Sequence, residues 1–388
     1  MKGILLLPLV LISITSCLRL AAQDAQVGVS LPMEITADVL DTGRTQISDP
    51  NAASLTAGFR VLLMPQIKLG PHWYVYSALQ VHSRPFFYQD AYDTQRGIES
   101  DLLQMFMGYT RSWEGVSVNF KVGKLPSAFG TFPLRYDDQS NPLIDQPLPY
   151  TYLALRATPG HENYGLTPVT LYGLPAAEIG LSWRRLDSRF QLTNSSPYNP
   201  RSLFESDQHA QWTAGAGYSI RQGLRLGISA YRGPWLNDTF RSFVPVGSNL
   251  TDFPATGLGL EAEWARGPWS ACGEWQRFVF DFPRFTTSPT PSFGYVELKR
   301  IINPRWYAAV RANYQTNNRP VIGDVKSATT FFPNRQAYEL VVAFRPSRFQ
   351  LLKIGYEWMK VEDRPGTHDN VFGIHFVTSI NRLSKALK

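Results

Sequence analysis

Apolar and polar residues alternate with a period of two in many short segments between about residue 30 and residue 381. In segment 116–123, Val116, Val118, Phe120 and Val122 occupy every second position, and small or polar residues stand between them. This pattern predicts β-strands with one apolar and one polar face. Sixteen such strands are predicted, at 30–41, 58–69, 72–84, 101–113, 116–124, 177–185, 188–195, 211–220, 224–232, 256–266, 269–281, 292–301, 306–314, 336–345, 349–361 and 370–381. Most have about nine residues or more, the length that a tilted strand needs to cross a bilayer.

The connections between these strands are alternately short and long. Seven are short joints, at Gly70–Pro71, Glu114–Gly115, Leu186–Asp187, Gln222–Gly223, Gly267–Pro268, Asn303–Pro304 and Pro346–Ser347. The other eight are polar segments of roughly ten to fifty residues. Short turns at one end, long loops at the other and an even strand count are typical of bacterial outer-membrane barrels. We therefore predict an all-β fold, a transmembrane antiparallel β-barrel of about 16 strands with short periplasmic turns, long outer loops and both termini in the periplasm.

A soluble β-sandwich would show the same alternation, because the apolar side of each strand would face its core. Three features favour the barrel. Gly and Ser crowd the polar faces, which suits a curved wall, and the connections differ at the two ends. The third feature is a set of tryptophans near strand ends, at Trp73, Trp113, Trp183, Trp269, Trp306 and Trp358.

The first residues resemble a secretory signal. Met1-Lys2 gives a basic start, and Gly3–Thr15 is an apolar run too short to cross a bilayer as a helix. Two readings of its end remain open. Segment 14–17 resembles a bacterial lipobox, which would make its cysteine a lipidated N-terminus, whereas the small residues before Gln23 suit ordinary cleavage. We predict a signal peptide at 1–22 and export of the chain.

The remaining segment, 23–388, is predicted to be one domain, since closure of a barrel leaves no natural boundary. Removal of Lys2 and Arg19 with the signal lowers the formal charge from +7 to +5. The cations are spread singly along the strands, which argues against nucleic-acid binding. Only Cys272 remains, so no intramolecular disulfide is predicted. A 13% aromatic content with a mean hydropathy of −0.20 fits a barrel with a polar interior and aromatic girdles.

The longest connection runs from Leu125 to Ala176 and follows the fifth strand, which makes 125–176 the third outer loop. A loop of this length is functional or disordered, and its many aromatic and aliphatic residues argue against disorder. Folded against the inner wall, it would narrow a pore that is otherwise wide. The alternative is a packed lid outside the mouth. The polar candidates for a pore constriction are Arg135, Asp137, Asp138, Asp145 and Arg156, with His161 and Glu162 beyond them.

Asp137 and Asp138 have two other readings, an Asx-type turn or a weak Ca²⁺ contact with outer-leaflet sugars, and the turn is the simpler of these two.

Segment Phe120–Gly130, which reads FKVGKLPSAFG, resembles the strand-end motif of outer-membrane porins related to the phosphate-selective porins O and P. In that motif a strand reading cation-Val-Gly-cation is followed by a short bend that ends in Phe-Gly. Segment Asn141–Ile144 is also similar to such porins. The resemblance spans roughly 116–145, and elsewhere it is architectural. It implies a sixteen-stranded barrel whose third long loop folds inward and through which solutes pass passively.

Two departures from the family limit what the resemblance implies. No ladder of arginines or lysine cluster can be aligned, so phosphate selectivity is not implied. The closing strand ends on Phe372–Phe376, similar to a terminal aromatic signal, but twelve further residues follow.

The alternation also predicts which charges face the lumen. A basic sector is expected at Arg60, Lys68, Lys121, Arg184, Arg189, Arg221 and Arg225. An acidic sector is expected at Glu261, Glu263, Glu274, Glu297, Glu339 and Glu357, with Lys299, Arg311 and Lys353 among them. Two facing sectors would set a transverse field that discriminates ions by sign. The alternative is that these charges pair across neighbouring strands and stiffen the wall.

We predict an outer-membrane porin that gives passive diffusion of small hydrophilic solutes with a mild preference for anions, surrounded by outer-membrane lipid. Porins of this size often form homotrimers. The alternative is a non-channel barrel, such as an adhesin, an anchor or an enzyme with a rim site, whose lumen is plugged. No enzymatic activity, cofactor or metal is predicted, because no histidine stands in a local motif with serine and glycine and no ligand spacing is present.

Overall fold

A computed structural model describes residues 27–44, 46, 50–84, 97–135, 137–151, 153–154, 165–169, 173–194, 210–236, 238–283, 285–322, 325–327, 329–362 and 369–383. These residues build one closed sheet of sixteen antiparallel strands, which confirms the predicted fold class and strand count. The strands are β1 (Val27–Thr42), β2 (Leu55–Leu63, continued as Gln66–Leu69), β3 (Trp73–Arg84), β4 (Gly97–Trp113), β5 (Val116–Leu125), β6 (Leu174–Trp183), β7 (Leu186–Asn194), β8 (Ala210–Arg221), β9 (Leu224–Pro234), β10 (Pro254–Arg266), β11 (Trp269–Phe280), β12 (Ser292–Asn303), β13 (Trp306–Thr316), β14 (Arg335–Ser347), β15 (Gln350–Val361) and β16 (Val371–Leu383).

Each strand pairs with the next along the chain, and β1 pairs with β16 to close the barrel, from Ser30 opposite Leu383 to Thr42 opposite Val371. Strand β2 is interrupted where Met64 and Pro65 leave the ladder. Proline has no N–H to donate to a ladder, so it is accommodated at such an irregularity. The Pro65 carbonyl still accepts a hydrogen bond of 3.0 Å from the N–H of Ser77, which keeps the two parts of the strand in the wall.

Five of the seven predicted short connections coincide with tight turns of two or three residues at one end of the barrel. The other two are misplaced by two residues: the turns lie at 184–185 and 348–349, and Leu186–Asp187 and Pro346–Ser347 belong to strands. The strand ends that the eight long connections join lie at the opposite end of the barrel. The predicted alternation of short and long connections is therefore confirmed. The predicted signal peptide at 1–22 lies outside the described residues.

The outer face of the barrel is apolar. Ile35, Phe59, Leu260 and Val342 are among the outward side chains that remain 36–49% exposed. Tryptophans stand near the short-turn end, as at Trp73. An apolar band with aromatic residues at its rims suits contact with lipid. Among the described residues no helix is both long enough and apolar enough to span a membrane.

The remaining elements are short and belong to the long connections. Four 3₁₀ turns occur at Phe132–Leu134, Leu148–Tyr150, Asp238–Phe243 and Leu250–Asp252. Two-residue ribbons pair Leu153–Ala154 with Gly165–Leu166 and Val321–Ile322 with Val325–Lys326. A cluster of buried aromatic rings covers one side of the barrel at the long-loop end. It contains Trp235, Phe240, Phe282, Phe331 and Phe332.

Candidate functional site: the third long loop inside the barrel

The third long connection, residues 126–173 and called L3 below, turns inward at the end of β5. Gly123 has a φ of +140°, and a Cβ there would collide with the backbone of Met105 and Phe106 on β4. Only glycine suits this close approach. The chain then bends so that both Lys124 and Leu125 are buried, and the Lys124 ammonium donates to the Leu102 carbonyl at 2.5 Å. The Val-Gly-cation part of the motif therefore starts the inward path of L3.

Three glutamates of the barrel wall each accept hydrogen bonds from two consecutive backbone N–H groups of L3. Glu274 binds the amides of residues 131 and 132 at 3.1 and 3.2 Å. Glu34 binds those of 138 and 139 at 2.8 and 3.2 Å. Glu339 binds those of 144 and 145 at 2.8 and 3.2 Å. Since carboxylate–amide bonds are charge-assisted, these contacts hold the L3 backbone at three separate points of the wall.

Wall cations bind the carbonyl groups of L3 in the same way. The Lys353 ammonium donates to the carbonyls of Asp138, Asn141 and Leu143 at 2.6, 2.7 and 2.9 Å. Arg311 donates to the Asp145 carbonyl at 2.8 Å. The three donors of the lysine are thus all used on one short stretch of backbone, which fixes the turn at 138–143.

The carboxylate of Asp138 lies in a buried, positively charged setting. Arg60 contacts it at 2.7 Å, and the Thr36 hydroxyl donates to it. Burial raises the pKa of Asp138, but the positive charges of Arg60 and Lys353 lower it by more, so its pKa lies below the ordinary value. Asp138 is therefore an anionic anchor of L3.

Asp145 has the opposite setting. Its side chain is buried beside Glu357, and Arg44 is 3.9 Å away. Burial and the charge of Glu357 raise the pKa of Asp145 well above its usual range, and Arg44 offsets only part of that effect.

Aromatic packing completes the attachment of L3. The rings of Phe132 and Tyr150 lie 5.1 Å apart, and Phe129 packs edge-on against Tyr231 of β9 at 5.2 Å. The Tyr150 hydroxyl donates to Glu274 at 2.6 Å. Burial and the Glu274 charge raise the pKa of Tyr150 well above its ordinary value, so the phenol keeps the proton that it donates. Because the rings of residues 132 and 150 meet, the stretch 133–149 is an excursion whose two ends lie close together.

One side of this excursion is exposed to solvent. Leu134 is 63% exposed, although its neighbours Phe132 and Arg135 are attached to the inner wall. Ser140 is also exposed, and Asp137 and Gln139 are half-buried. L3 therefore has a wall-facing side, which is buried, and a side that faces solvent within the barrel.

The two halves of the lumen differ in accessibility. Towards the long-loop end, the inward side chains are buried on strand after strand: Asp38, Arg60, Gln80, Lys124, Gln191, Thr213, Ser229, Gln276, Asn313, Glu357 and His375. Towards the short-turn end, inward side chains are half-buried or exposed: Lys68, Tyr74, Lys121, Arg189, Arg225, Glu263 and Lys299. A polar vestibule thus opens at the short-turn end, and L3 with the outer loops fills most of the lumen beyond it.

The predicted L3 residues occupy different positions in this arrangement. Asp138 and Asp145 face the wall, whereas Arg135 reaches Glu297 at 3.2 Å with 29% of its side chain exposed. Asp137 accepts the N–H of Ser140, three residues on, at 2.8 Å, so its side chain caps the turn that starts there. The described part of L3 lies inside the barrel, not as a lid outside it, and its role as a pore constriction stays a prediction. Arg156, His161 and Glu162 lie outside the described residues.

Most predicted wall charges face inward as ion pairs. Lys121 contacts Glu178 at 2.7 Å. Arg225 contacts Asp187, Glu261 and Glu263 at 2.7, 3.3 and 3.6 Å.

Three further contacts involve wall charges. Glu297 and Glu357 pair with Arg311 and Arg44, and the Arg189 guanidinium donates to the Gly130 carbonyl. The alternative reading, in which these charges pair with one another, describes most of the wall.

Two predictions about the wall are wrong. Arg184 is not on the lumen wall, because it lies in the turn after β6 with a φ of +53°, and its guanidinium stands 5.7 Å from the outward ring of Trp183. The strand ends at Trp183, so the period of two no longer applies at Arg184. The basic sector is also not separate, since acidic Glu34, Glu178 and Asp187 lie within it and pair with Arg60, Lys121 and Arg225.

Sequence reasoning missed Glu34 and Arg44, which bind L3 and its surroundings. Glu34 stands on the polar face of β1, so the alternation places it inward, but nothing in the sequence marks it as a partner of residues 138 and 139. Arg44 lies just beyond β1 and reaches Glu357 of β15. These pairings form only when the barrel closes, so no local sequence pattern predicts them.

Replacing Asp138 with Asn should lower the free energy of unfolding by about 1–3 kcal/mol at neutral pH, because Arg60 loses a charged partner in a buried site. Since the folded pKa of Asp138 lies below the ordinary value of 3.8, its contribution is complete well above pH 3.8 and is lost as the pH falls below it. Urea unfolding of both proteins from pH 6 to pH 3 measures this.

The difference in stability between wild type and D138N should shrink as the medium is acidified. E114Q, which alters an exposed turn carboxylate, is the control and should follow wild type. A difference that is independent of pH would contradict the assignment of Asp138 as an anionic anchor.

No family model matches this sequence, and no curated protein matches it. Solved structures do share its fold. Salmonella typhi OmpF in complex with daunomycin is 8% identical, with a TM-score of 0.60 over 91% of this chain and 97% of that one. Vibrio cholerae OmpT, an outer-membrane protein, is 9% identical in its trimer form, with a TM-score of 0.54 over 91% and 99%. A loop-deletion mutant of OmpT gives 10% identity and a TM-score of 0.53 over 92% and 100%. The chain thus has the fold of outer-membrane β-barrels.

Proposed function

We propose that this chain is a porin-like barrel of the bacterial outer membrane that lets small hydrophilic solutes diffuse through a passage narrowed by L3. The proposal rests on the solvent-exposed side of L3, which lies inside a closed barrel with a polar vestibule. Leu134, 63% exposed, lies between residues attached to the inner wall, so solvent reaches the middle of the lumen. A sixteen-stranded barrel is wide enough to hold both a loop and water.

The outer membrane is the location that best fits the fold and the surface. The apolar outer face would contact lipid, the short turns would face the periplasm, and the long loops would face outward. The likeness to OmpF and OmpT barrels supports this location. A homotrimer is part of the proposal, supported by the trimer form of OmpT.

The finer relation to the phosphate-selective porins O and P rests on segment 120–130 alone. Its glycines support a shared inward turn of the loop, because residues 123 and 130 both stand where a Cβ would collide with neighbouring atoms. We include no phosphate selectivity in the proposal. We also assign no catalytic role to the chain.

A plugged, non-channel barrel is the second candidate, and one observation favours it. Inward residues towards the long-loop end, such as Arg60 and Gln276, are almost fully buried. Recording of single channels in planar bilayers decides between the two. The proposal expects small, stable open steps from the wild-type protein, and a plugged barrel gives none.

A mild preference for anions is proposed from the formal charge of the exported chain and from the half-exposed cations of the passage. Arg135 is a half-exposed cation in the described part of L3, and its loss leaves the carboxylate of Glu297 nearby. R135Q should therefore shift the reversal potential in a KCl gradient towards cation preference. R111Q removes an exposed cation near the short-turn end and serves as the control. A wild-type preference for cations would contradict the proposal.

A further inference from the structure

A second cluster of titratable side chains lies on the wall at β3 and β4. His82 of β3 stands opposite Glu99 of β4, and Asp101 follows two residues later on the same face of β4. The His82 Nε2 atom is 3.4 Å from Asp101 Oδ2 and 3.9 Å from Glu99 Oε2. One ligand atom from each of the three lies within 4.8 Å of the others.

A contact with a backbone carbonyl outside this cluster sets the orientation of the His82 ring. Its Nδ1 atom is 2.9 Å from the Ser83 carbonyl oxygen, and a carbonyl oxygen only accepts, so Nδ1 carries the proton. In the neutral ring, Nε2 then presents its lone pair towards two carboxylates. A cation between Nε2 and the two carboxylates would be attracted by all three groups. The ring is only 3% exposed, so water screens that attraction poorly.

The two carboxylates also have partners outside the cluster. Arg84 Nε lies 2.7 Å from Glu99 Oε2, and Gln80 donates to Asp101 Oδ2 at 3.4 Å. Metal-binding histidines usually donate their second ring N–H to a carbonyl or carboxylate, and metal-binding carboxylates are in turn hydrogen-bonded. Each of the three candidate ligands therefore has a hydrogen-bonding or charged partner outside the cluster.

We propose that His82, Glu99 and Asp101 bind a divalent first-row transition metal ion, with zinc as the reference ion. Zinc takes imidazole nitrogen and carboxylate oxygen in a tetrahedral arrangement, which places ligand atoms about 3.4 Å apart. The nitrogen-to-Asp101 distance already fits, and Glu99, whose side chain is 30% exposed, has room to close the rest. The fourth position is left for water. With a neutral ring, the two carboxylates and Arg84 leave a negative charge that favours a dication.

The imidazole ligand also sets the selectivity of the site. Nitrogen ligands suit zinc, copper or nickel, whereas calcium and magnesium prefer oxygen. An excess of Ca²⁺ should therefore not displace zinc. This proposal does not depend on solute passage, since it concerns equilibrium binding at the wall.

Isothermal titration with Zn²⁺ tests the proposal on untagged protein, refolded in detergent and freed of metal with EDTA. Wild type should bind one ion, H82Q should lose this binding, and Q80A should weaken it by about tenfold. H72Q is the matched control, because His72 lies in a short turn and bonds to the Thr110 carbonyl. Heat-modifiable gel mobility verifies that each variant is folded.

Titration with Co²⁺ adds a spectroscopic reading, since a tetrahedral site with an imidazole ligand should give visible absorption that H82Q lacks. Equal zinc affinity in wild type and H82Q would overturn the proposal. So would the absence of zinc binding by wild type at pH 7, which would leave a protonated His82 paired with the two carboxylates as the explanation of the cluster.

Discussion

Excision of residues 133–149, with a short Gly-Ser bridge in their place, should convert small conductance steps into large ones. The excursion fills the middle of the lumen, and a sixteen-stranded barrel without it leaves an aqueous channel. The bridge is short because the rings of Phe132 and Tyr150, at the two ends, are 5.1 Å apart. The wall charges that bind the excursion would become hydrated, so the loss of partners costs less there than in a dry interior.

Single-channel recording in planar bilayers measures the change. The control is a deletion of similar kind in an outer loop, 246–248, where Val246 is fully exposed. This control should leave the step unchanged. An unchanged step after excision of 133–149, in protein with normal heat-modifiable mobility, would show that L3 does not limit the passage.

Replacing Arg311 with Met should lower the free energy of unfolding by about 3–5 kcal/mol, the usual cost of removing one partner from a buried charge pair. The Arg311 side chain is 0% exposed and contacts Glu297 at 3.1 Å and Glu339 at 3.3 Å. The variant leaves both carboxylates without this cation. It also removes the donor to the Asp145 carbonyl, so L3 should loosen and the open steps should become noisier.

Urea unfolding in lipid vesicles, followed by tryptophan fluorescence, gives the loss in stability. R300M is the matched control, because Arg300 lies on the neighbouring strand β12 but is exposed, 5.0 Å from the ring of Trp269. It should cost less than about 1 kcal/mol. A similarly small loss in the free energy of unfolding for R311M would mean that the carboxylates around Arg311 are hydrated. Charge pairing would then not explain how L3 is attached to the wall.

The geometry of the wall glutamates explains why part of the attachment of L3 does not depend on which side chains L3 carries. Glu34, Glu274 and Glu339 bind backbone amides, and Lys353 binds backbone carbonyls. Backbone groups are present whatever the side chain, so these contacts specify the path of the loop more than its composition. The glycines at 123 and 130 are exceptions, because the path leaves no space for a Cβ there.

Local sequence determined the strands, their number and the end of the barrel at which each connection lies. The reason is that side chains of a strand alternate between two faces and that turn lengths are local properties, so segments such as 116–125 are readable without their partners. The alternation also placed Arg60 and Glu297 inward. It was misleading at Arg184, where a strand ends in a turn and the period of two no longer applies.

Only the tertiary structure decided how the inward charges combine. Arg60 and Asp138 are separated by 78 residues, and Lys353 reaches residue 138 across 215. Closure of β1 on β16 brings these groups together, and no local pattern encodes that juxtaposition. The sequence therefore determined a barrel with one oversized loop, while the structure decided that the loop lies inside and that the wall charges bind it. The physical reason is that alternation is a property of neighbouring residues, whereas charge pairing is a property of the closed lumen.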